Sequence, residues 1–207
     1  MSMIIDLGDA LTEGYALLRL PRMTDDEFWE FCQRNPTLQV ERNADGDVIL
    51  MSPSDTWTEI RGGDLFGDLL IWNRAQAEPG LTAGSSAGFK LPNGAERSPD
   101  AAWVSKARWD ALPPEKRRRF AQISPDFVAE VMSPSDRLKD AKAKMEEYIA
   151  NGVRLGWLID RKKRTVIVYR PGQAEQEIYD PATLAGDPEL PGFVADMARV
   201  FQTDTGE

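Results

Sequence analysis

Two acidic residues stand at strand-like stretches of this sequence and could serve metal-assisted chemistry. Asp100 follows a proline at the start of the apolar stretch 101–104, and Glu130 lies inside the apolar stretch 127–132. Burying an ionised carboxylate is costly unless it is paired or bound to a metal ion. If the two strands are neighbours, the carboxylates repel each other, and a divalent cation would turn that repulsion into attraction. An aspartate after proline is also a common turn residue, so the pair carries the hypothesis and neither acid does so alone.

A cationic partner could come from the helix predicted after Glu130. The apolar positions Leu138, Ala141, Met145, Tyr148 and Ile149 define one buried stripe of that helix. At 100° per residue, Lys142 and Lys144 fall on opposite borders of the stripe, so helical geometry alone does not choose between them. Tyr148 lies one turn beyond Lys144, and the two side chains could enter a cleft together. Either lysine could equally be a surface residue whose stem packs beside the core.

Composition excludes several other kinds of active site. The 207 residues include no histidine and one cysteine, Cys32, so no Ser-His-Asp triad, Cys-His pair or His-Cys zinc site can be built from them. Asp, Glu, Lys, Tyr and Ser remain, and hard oxygen ligands favour Mg²⁺ or Mn²⁺ over zinc. A single cysteine also excludes an intrachain disulfide, and we expect Cys32 to be a small buried hydrophobic residue.

The charge and hydropathy patterns bear on location and partners. The net charge of −9, from 25 basic and 34 acidic residues, argues against nucleic-acid binding through a broad positive surface but leaves a local basic groove open. The basic clusters 116–119 and 161–164 favour solvated turns or helix faces over phosphate-binding patches. No run of about 18 apolar residues occurs, and the N-terminus carries acids where a secretory signal would carry Lys or Arg. We therefore expect a cytoplasmic protein without a membrane partner.

The elements that must position these side chains are those of one α/β (α+β) domain. Thr24 and Glu27 form a capping box that should begin a helix ending at Asn35, and Asp45-Gly46 should turn a β-hairpin over residues 38–51 whose first strand carries Glu41. One long helix should precede Pro79 and cover one face of the sheet, although Gly62-Gly63 interrupts the helical spacing of its apolar residues. A sheet with helices on its faces then accounts for the rest of the pattern.

The second half of the chain supplies most of the predicted strands. From Leu81 the sequence predicts a loop rich in Gly and Ser, then a short strand near 88–91, a strand at 101–104, a polar helical segment at 105–124 and a central strand at 127–132. A helix capped within 133–136 should run to Asn151, with Gly152 as its left-handed stop, and strands at 155–160 and 165–170 should follow. We divide the chain into an N-terminal extension at 1–22, the domain at 23–201 and a frayed tail at 202–207.

Several short stretches occur together in one order along most of the chain, from Met23 to Phe201. They are Glu41-Arg42 with Gly46 and Met51-Ser52-Pro53, Arg97-Ser98-Pro99-Asp100, Pro125-Asp126-Phe127-Val128-Ala129-Glu130, Ser133-Pro134-Ser135-Asp136, Lys144 with Tyr148 and Gly152, and Trp157-Leu158-Ile159-Asp160. Each stretch is ordinary alone. In this combination the sequence resembles the PD-(D/E)XK nuclease superfamily and, within it, the Uma-two family of restriction-endonuclease-like proteins.

The resemblance implies a fold, a metal and a set of site residues. The fold would be a restriction-endonuclease-like mixed central sheet flanked by helices. Asp100, Glu130 and the backbone carbonyl of Val131 would hold Mg²⁺ or Mn²⁺, and Glu41 would bind a second metal ion or a metal-bound water. The superfamily has a lysine two residues after the glutamate, where this sequence has Met132. The resemblance to the Uma-two branch implies that Lys144 takes that role, with Tyr148 beside it.

These features together predict a Mg²⁺-dependent endonuclease that hydrolyses phosphodiester bonds in DNA. Two alternatives stay open: a nuclease-fold binding or regulatory module without cleavage, which Met132 and the net charge favour, and a metal-dependent hydrolase of a small phosphorylated substrate. We also expect a homodimer, because a negatively charged domain with exposed Trp103 and Trp109 would gain affinity for duplex DNA by pairing two sites.

Charge-removing substitutions at Asp100 and Glu130 separate a metal site from a structural ion pair. If the pair holds metal, Asp100→Asn and Glu130→Gln should each abolish Mg²⁺ binding and cleavage. Without metal they should leave stability unchanged or raised, because like-charge repulsion is relieved. If Glu130 is instead paired with a buried arginine, Glu130→Gln should destabilise the fold by roughly 3–5 kcal/mol. Thermal melts with and without Mg²⁺ distinguish the two cases, and a strongly destabilised, metal-indifferent Glu130→Gln variant would contradict the metal site.

Overall fold

The chain forms a large mixed sheet, a smaller antiparallel sheet and a two-stranded ribbon. A computed structural model describes the backbone of residues 15–18 and residues 22–51 and 54–202. Its helices are α1 Asp25–Arg34, α2 Thr56–Ala75, α3 Lys106–Ala111, α4 Leu138–Ala150 and α5 Met197–Val200, with a 3₁₀ turn at Pro114–Arg117. Its strands are β1 Tyr15–Leu18, β2 Gln39–Arg42, β3 Val48–Met51, β4 Gly80–Gly84, β5 Phe89–Lys90, β6 Glu96–Arg97, β7 Ala101–Ser105, β8 Phe127–Val131, β9 Leu155–Asp160, β10 Thr165–Tyr169, β11 Gln176–Tyr179, β12 Thr183–Ala185 and β13 Val194–Asp196.

The large sheet confirms the predicted mixed sheet with helices on its faces. Its six strands run in the order β11-β10-β9-β8-β7-β4, and β8–β9 is the parallel pair. The helix α4 makes the crossover between β8 and β9, as a parallel connection requires. One face packs on α2 and α5 around Trp72, Phe127 and Trp157, and the other packs on α4 around Met145 and Tyr148. Because both faces are covered, β9 and β10 are buried along their whole length.

The register of the large sheet brings the two predicted acids side by side. The strands β7 and β8 are antiparallel, with Ala101 opposite Ala129 and Ala102 opposite Val128. Continued by one residue, this register places Asp100 opposite Glu130. Directly opposed residues project to the same face of a sheet, so both carboxylates lie at one end of the central strands.

The smaller sheet has one packed face and one face turned to a cleft. Its strand order is β1-β3-β2-β6-β5, and α1 covers one face through Phe28, which contacts Val48 and Leu50. Side chains alternate between faces along a strand, so Glu41 on β2 and its partner Ile49 on β3 project from the other face. The strand β1 lies in the segment expected to be an extension and pairs with β3. Residues 1–14, 19–21 and 203–207, which hold most of the predicted extension and tail, lie outside the described residues.

Local sequence signals are confirmed where they act within a few residues. Thr24 accepts a hydrogen bond from the backbone of Glu27, whose carboxylate accepts from the backbone of Thr24, so the capping box begins α1. The hairpin β2–β3 forms, and Gly46 in its turn has φ +90°. Gly152 has φ +99° just after α4, as expected of a left-handed helix stop.

Several expectations are wrong because contacts distant in sequence decide the structure. The stretch expected to be a loop from Leu81 is β4, which pairs with β7 at the edge of the large sheet and lacks an alternating apolar pattern. A Cβ at Gly80 would lie 2.3 Å from the carbonyl oxygen of Val104, so close strand approach explains this glycine. The predicted long helix, by contrast, is confirmed as α2, which runs through Gly62-Gly63 without a break. The two tryptophans expected to be exposed are not: Trp103 is 5% exposed and donates to Asn73 at 2.8 Å, and Trp109 is half-buried. The argument for a homodimer from exposed tryptophans therefore does not hold.

Two helix boundaries also differ from expectation. The segment 105–124 is helical only in α3 and in the short 3₁₀ turn. The helix α4 begins at Leu138, because the stretch 133–136 forms a turn closed by the Asp136 carboxylate, which accepts from the backbone of Ser133 at 2.7 Å.

Cys32 is half-buried, and burial raises the pKa of its thiol to about 11. Within the described ranges, no helix is long and apolar enough to cross a bilayer.

A partly buried ion network fastens α1 to the smaller sheet. Arg42 pairs with Asp25 at 2.7 Å and with Glu96 at 3.0 Å, and Asp25 also pairs with Lys90. The second oxygen of Glu96 is buried without a hydrogen-bond partner among the described residues. Burial outweighs the attraction of Arg42 and raises the pKa of Glu96 to about 7. The folded protein therefore holds a proton on Glu96 that the unfolded chain would release above its ordinary pKa of 4.5.

This shift predicts a loss of stability with rising pH. Folded Glu96 binds more protons than unfolded Glu96 between about pH 4.5 and 7, so its contribution to stability is complete below that window and lost above it. From pH 5 to 8, the free energy of unfolding should fall by roughly 1–3 kcal/mol more in the wild type than in Glu96→Gln. Urea unfolding at both pH values measures this difference. The exposed Glu115→Gln is the control, and equal slopes in all three proteins would contradict the prediction.

Candidate active site

An open cleft separates the smaller sheet from the end of β8 and the first turns of α4. Its volume is about 980 Å³. Strands β2 and β3 line one side, and Asp100, Glu130 and Lys144 line the other. The lining is acidic: it contains seven carboxylates, Glu41, Glu59, Asp100, Glu130, Asp136, Asp140 and Glu147, and three basic side chains, Arg97, Arg137 and Lys144. The side chains singled out in the sequence thus converge in one cavity, together with others that were not.

Lys144 joins the two sides of the cleft. Its Nζ lies 2.8 Å from Oε1 of Glu130 and 3.0 Å from Oε1 of Glu41. The hydroxyl of Tyr148 donates to the same Glu130 oxygen at 3.0 Å. Lys144 is mostly buried, and the two carboxylates raise its pKa above the ordinary value despite that burial. The ammonium group is therefore a fixed positive charge at neutral pH.

The structure separates the two lysines that helical geometry left equivalent. Lys142 points to the other border of the stripe and pairs with Glu175 at 2.5 Å and Glu177 at 3.7 Å, near β11. Lys144 enters the cleft. Met132, two residues after Glu130, packs against the core beneath α4. A cation thus reaches Glu130 from the helix and not from the strand.

Two residues that the sequence analysis did not assign to the site hold Glu41 in place. Arg97 donates from Nη1 to Glu41 at 2.9 Å and from Nε to Glu147 at 2.6 Å. The backbone N–H of Ser98 donates to Glu41 at 2.9 Å. These contacts and Lys144 lower the pKa of Glu41 even though it is buried. The available signals were the position of Arg97 before Ser98-Pro99-Asp100 and the i,i+3 spacing of Lys144 and Glu147 on one helix face.

The environment of Asp100 is opposite to that of Glu41. Its Oδ2 accepts from the backbone N–H of Val131 at 2.7 Å, and no lysine or arginine of the described ranges forms an ion pair with it. Burial raises its pKa to about 6, and the negative charges of Glu59 and Asp136 add to this increase. Burial and the charges of Asp100 and Glu41 also raise the pKa of Glu130, against the attraction of Lys144. The acid pair is therefore short of positive charge.

A divalent cation would supply the positive charge that Asp100 and Glu130 lack. The inner network has four carboxylates, on Glu41, Asp100, Glu130 and Glu147, and two cations, on Arg97 and Lys144. Among the described residues, no group of three or more His, Cys, Asp or Glu side chains could hold a metal ion. Mg²⁺ commonly takes only one or two carboxylates and keeps several waters, so the pair Asp100 and Glu130 fits that ion.

Glu130 has a partner that the sequence analysis did not give it. The stability expectation for Glu130→Gln assumed either no neighbouring cation or a buried arginine, whereas Glu130 pairs with Lys144. Relief of like-charge repulsion is therefore the expected result for Asp100→Asn, while Glu130→Gln also removes one of the two carboxylates that neutralise Lys144.

The two basic clusters make local contacts and do not line the cleft. In the first, Arg117 donates to the backbone of Leu112 at 2.7 Å, and Arg119 pairs with Asp26. In the second, Arg161 donates to the backbone of Gln202 at 3.1 Å, and Arg164 pairs with Asp180. These four arginines are therefore held by contacts outside the cleft lining.

Comparison with known proteins adds a family and a fold. The family model Uma2, described as "Putative restriction endonuclease", matches residues 25–198. A solved structure described as a putative nuclease belonging to DUF820, from Anabaena variabilis ATCC 29413, is similar with a TM-score of 0.70 and 21% sequence identity. The match covers 86% of this chain and 97% of that chain. No curated protein matches.

The two lysines of α4 provide a matched pair of variants. Lys144→Met leaves Glu41 and Glu130 without their shared cation in a mostly buried place, so it should lower the free energy of unfolding by roughly 3–5 kcal/mol. Lys142→Met removes more exposed ion pairs and should change it by about 1 kcal/mol or less. Urea unfolding at pH 7 measures both. Equal losses would show that the Lys144 ion pairs contribute no more than surface contacts do.

Proposed function

Since this chain belongs to the Uma2 family, we propose that it is a metal-dependent endonuclease that hydrolyses phosphodiester bonds in DNA. The observation that carries the proposal is the placement of Lys144 between Glu130 and Glu41, beside Asp100, in an open cleft. Phosphoryl-transfer enzymes act mainly by positioning their reactants and by stabilising charge. The Lys144 ammonium group, fixed by Glu41 and Glu130, could both position a phosphate and stabilise its negative charge.

Each side chain of the network has a distinct task in this proposal. The Lys144 ammonium binds a phosphoryl oxygen or orients the attacking water, and it stabilises negative charge as the phosphorus–oxygen bond breaks. Tyr148 and Lys144 fix one Glu130 oxygen. Both oxygens of Glu41 are already engaged by Lys144, Arg97 and Ser98, which favours a role in positioning the lysine over the predicted role as ligand of a second metal ion.

Asp100 and Glu130, with the carbonyl oxygen of Val131, are the groups that would hold Mg²⁺ or Mn²⁺. The raised pKa of Asp100 and the excess of carboxylates support this assignment. A bound ion would polarise a phosphoryl oxygen and lower the pKa of a bound water. The Val131 N–H holds the Asp100 carboxylate at the edge of β8, so that ligand needs little rearrangement.

A second candidate function is a binding module without cleavage. Lys144 compensates Glu41 and Glu130 without any metal ion, so the network is also compatible with a purely structural role. In that case Asp100 would be a buried acid with one backbone contact and a raised pKa, and metal ions would not bind. Metal binding therefore discriminates between the two functions.

A cleavage assay tests the proposal directly. With Mg²⁺ or Mn²⁺, the wild type should cleave circular single-stranded DNA, circular duplex DNA or both, and EDTA should stop it. Asp100→Asn should reduce cleavage to background and abolish Mg²⁺ binding in calorimetry, because it removes a ligand charge while keeping the shape. The exposed Asp110→Asn is the control. A wild type that binds no divalent metal ion and cleaves neither substrate would favour the binding module.

A further inference from the structure

The side of the cleft opposite the acid pair carries an uncovered apolar surface. Leu38, Ile49 and Met51 line it, and we call these three residues the apolar wall. Leu38 is 44% exposed, and the other two are half-buried. None of the three belongs to a hydrophobic core formed by the described residues. Apolar side chains without a core contact in a cleft indicate a surface that meets a ligand.

The pairing of β2 with β3 explains why Ile49 and Met51 face the cleft, while Leu38 lines the cleft from just before the start of β2. Val40 and Leu50 are paired on the face that packs on α1, where Phe28 lies. Ile49 is paired with Glu41 on the opposite face, and Met51 is paired with Gln39. The hydrophobic requirement of the sheet is already met by the α1 face, so the apolar character of the cleft face is not needed for packing.

The wall begins next to the proposed reaction centre. Directly paired strand residues have Cα atoms about 4.5–5.5 Å apart, so Ile49 is an immediate neighbour of Glu41. Glu41 in turn contacts Lys144, which contacts Glu130. A nucleotide whose phosphate lies at Lys144 would carry its base, one sugar away, toward the wall.

Charge disfavours a ligand that is held mainly through its phosphates. The cleft lining has seven carboxylates and three basic side chains, and the basic clusters 116–119 and 161–164 lie outside it. Affinity for duplex DNA comes largely from neutralising phosphates, which this lining does poorly. Bases offer a different contribution, because stacking on aromatic side chains stabilises binding by about 1–3 kcal/mol per base and burying a base against aliphatic side chains adds hydrophobic stabilisation. Only unpaired bases expose their faces for such contact.

We propose, on the basis of the nuclease function proposed above, that the substrate is single-stranded or locally unpaired DNA whose bases lie on the apolar wall. The wall determines substrate class, while Lys144 and the acid pair act on the phosphate. Trp29 lines the same cleft from α1 and lies edge-on to Phe120, with ring centroids 5.6 Å apart, so the cleft also contains an aromatic surface. Duplex DNA, whose bases are stacked and paired, makes none of these contacts.

Fluorescence anisotropy tests the proposal without requiring cleavage. The probes are a labelled oligothymidylate, an abasic oligonucleotide of equal length and a duplex, each with Ca²⁺ in place of Mg²⁺. The oligothymidylate should bind at least about tenfold more tightly than either of the other probes. Ile49→Thr should weaken oligothymidylate binding about fivefold or more. It should leave the weak binding of the abasic probe unchanged, because that probe has no bases to contact the wall.

Exposed apolar residues outside the cleft supply matched controls. Ile71→Thr on α2 should leave oligothymidylate binding unchanged, since Ile71 does not line the cleft. Leu38→Ser should weaken binding while Leu81→Ser, at the similar exposure of 38%, should not. If the half-buried Ile49 proves necessary for folding, as an unfolding midpoint would show, the exposed Leu38 still tests the wall.

The outcomes separate this inference from the nuclease proposal. Equal binding of oligothymidylate and abasic probe, tighter binding of the duplex, absence of binding, or wall variants that behave like their controls would each overturn the role of the wall. Cleavage assays with Mn²⁺ would still report on the nuclease. Conversely, base-dependent binding that the wall variants weaken, without cleavage of any DNA, would support the wall and overturn the nuclease.

Discussion

The ion pairs of Lys144 with Glu41 and Glu130 are the contact on which the candidate site depends. Glu130 belongs to the large sheet, Glu41 to the smaller sheet and Lys144 to the helix α4, so one ammonium group joins three elements. Each carboxylate alone would be costly to bury, and the two together would repel. The shared cation makes the closure of one sheet edge over the other electrostatically possible. Arg97 extends the arrangement by joining Glu41 to Glu147 on the same helix.

The acids of the cleft differ because their partners differ. Glu41 has two cations and a backbone N–H, and its pKa is lowered, whereas Asp100 has a backbone N–H alone, and its pKa is raised. Neighbouring carboxyl groups whose pKa values are pushed apart serve different roles in many active sites. Here the compensated acid holds the lysine, and the uncompensated acid has capacity left for a ligand. The same distinction explains why a cation, and not a further carboxylate, would complete the site.

Sequence reasoning recovered the parts of this architecture that short-range chemistry decides. The capping box of α1, the turn at Gly46 and the stop at Gly152 depend on a few adjacent residues, and the pairing of Asp100 with Glu130 followed from two strands placed in order. The edge strand β4 was not predicted, because a strand with one neighbour needs no alternating apolar pattern. Arg97 was not assigned to the site, because its partners Glu41 on β2 and Glu147 on α4 lie 56 and 50 positions away in the sequence. No local sequence pattern predicts contacts over such distances.

Because the cation that pairs with Glu130 comes from α4 and not from β8, the candidate site depends on the docking of that helix. A lysine two residues after Glu130 would be positioned by the sheet itself, whereas this chain has Met132 there, partly buried against the core at the cleft. Lys144 is positioned only if α4 docks, and α4 docks through the buried Met145 and Tyr148. Tyr148 takes part both in the docking of α4 and in the network around Glu130, because its ring is packed against the sheet while its hydroxyl donates to Glu130. Loss of that packing would therefore displace the cation as well as the helix, so the candidate chemistry and the stability of this face of the sheet are linked through one side chain.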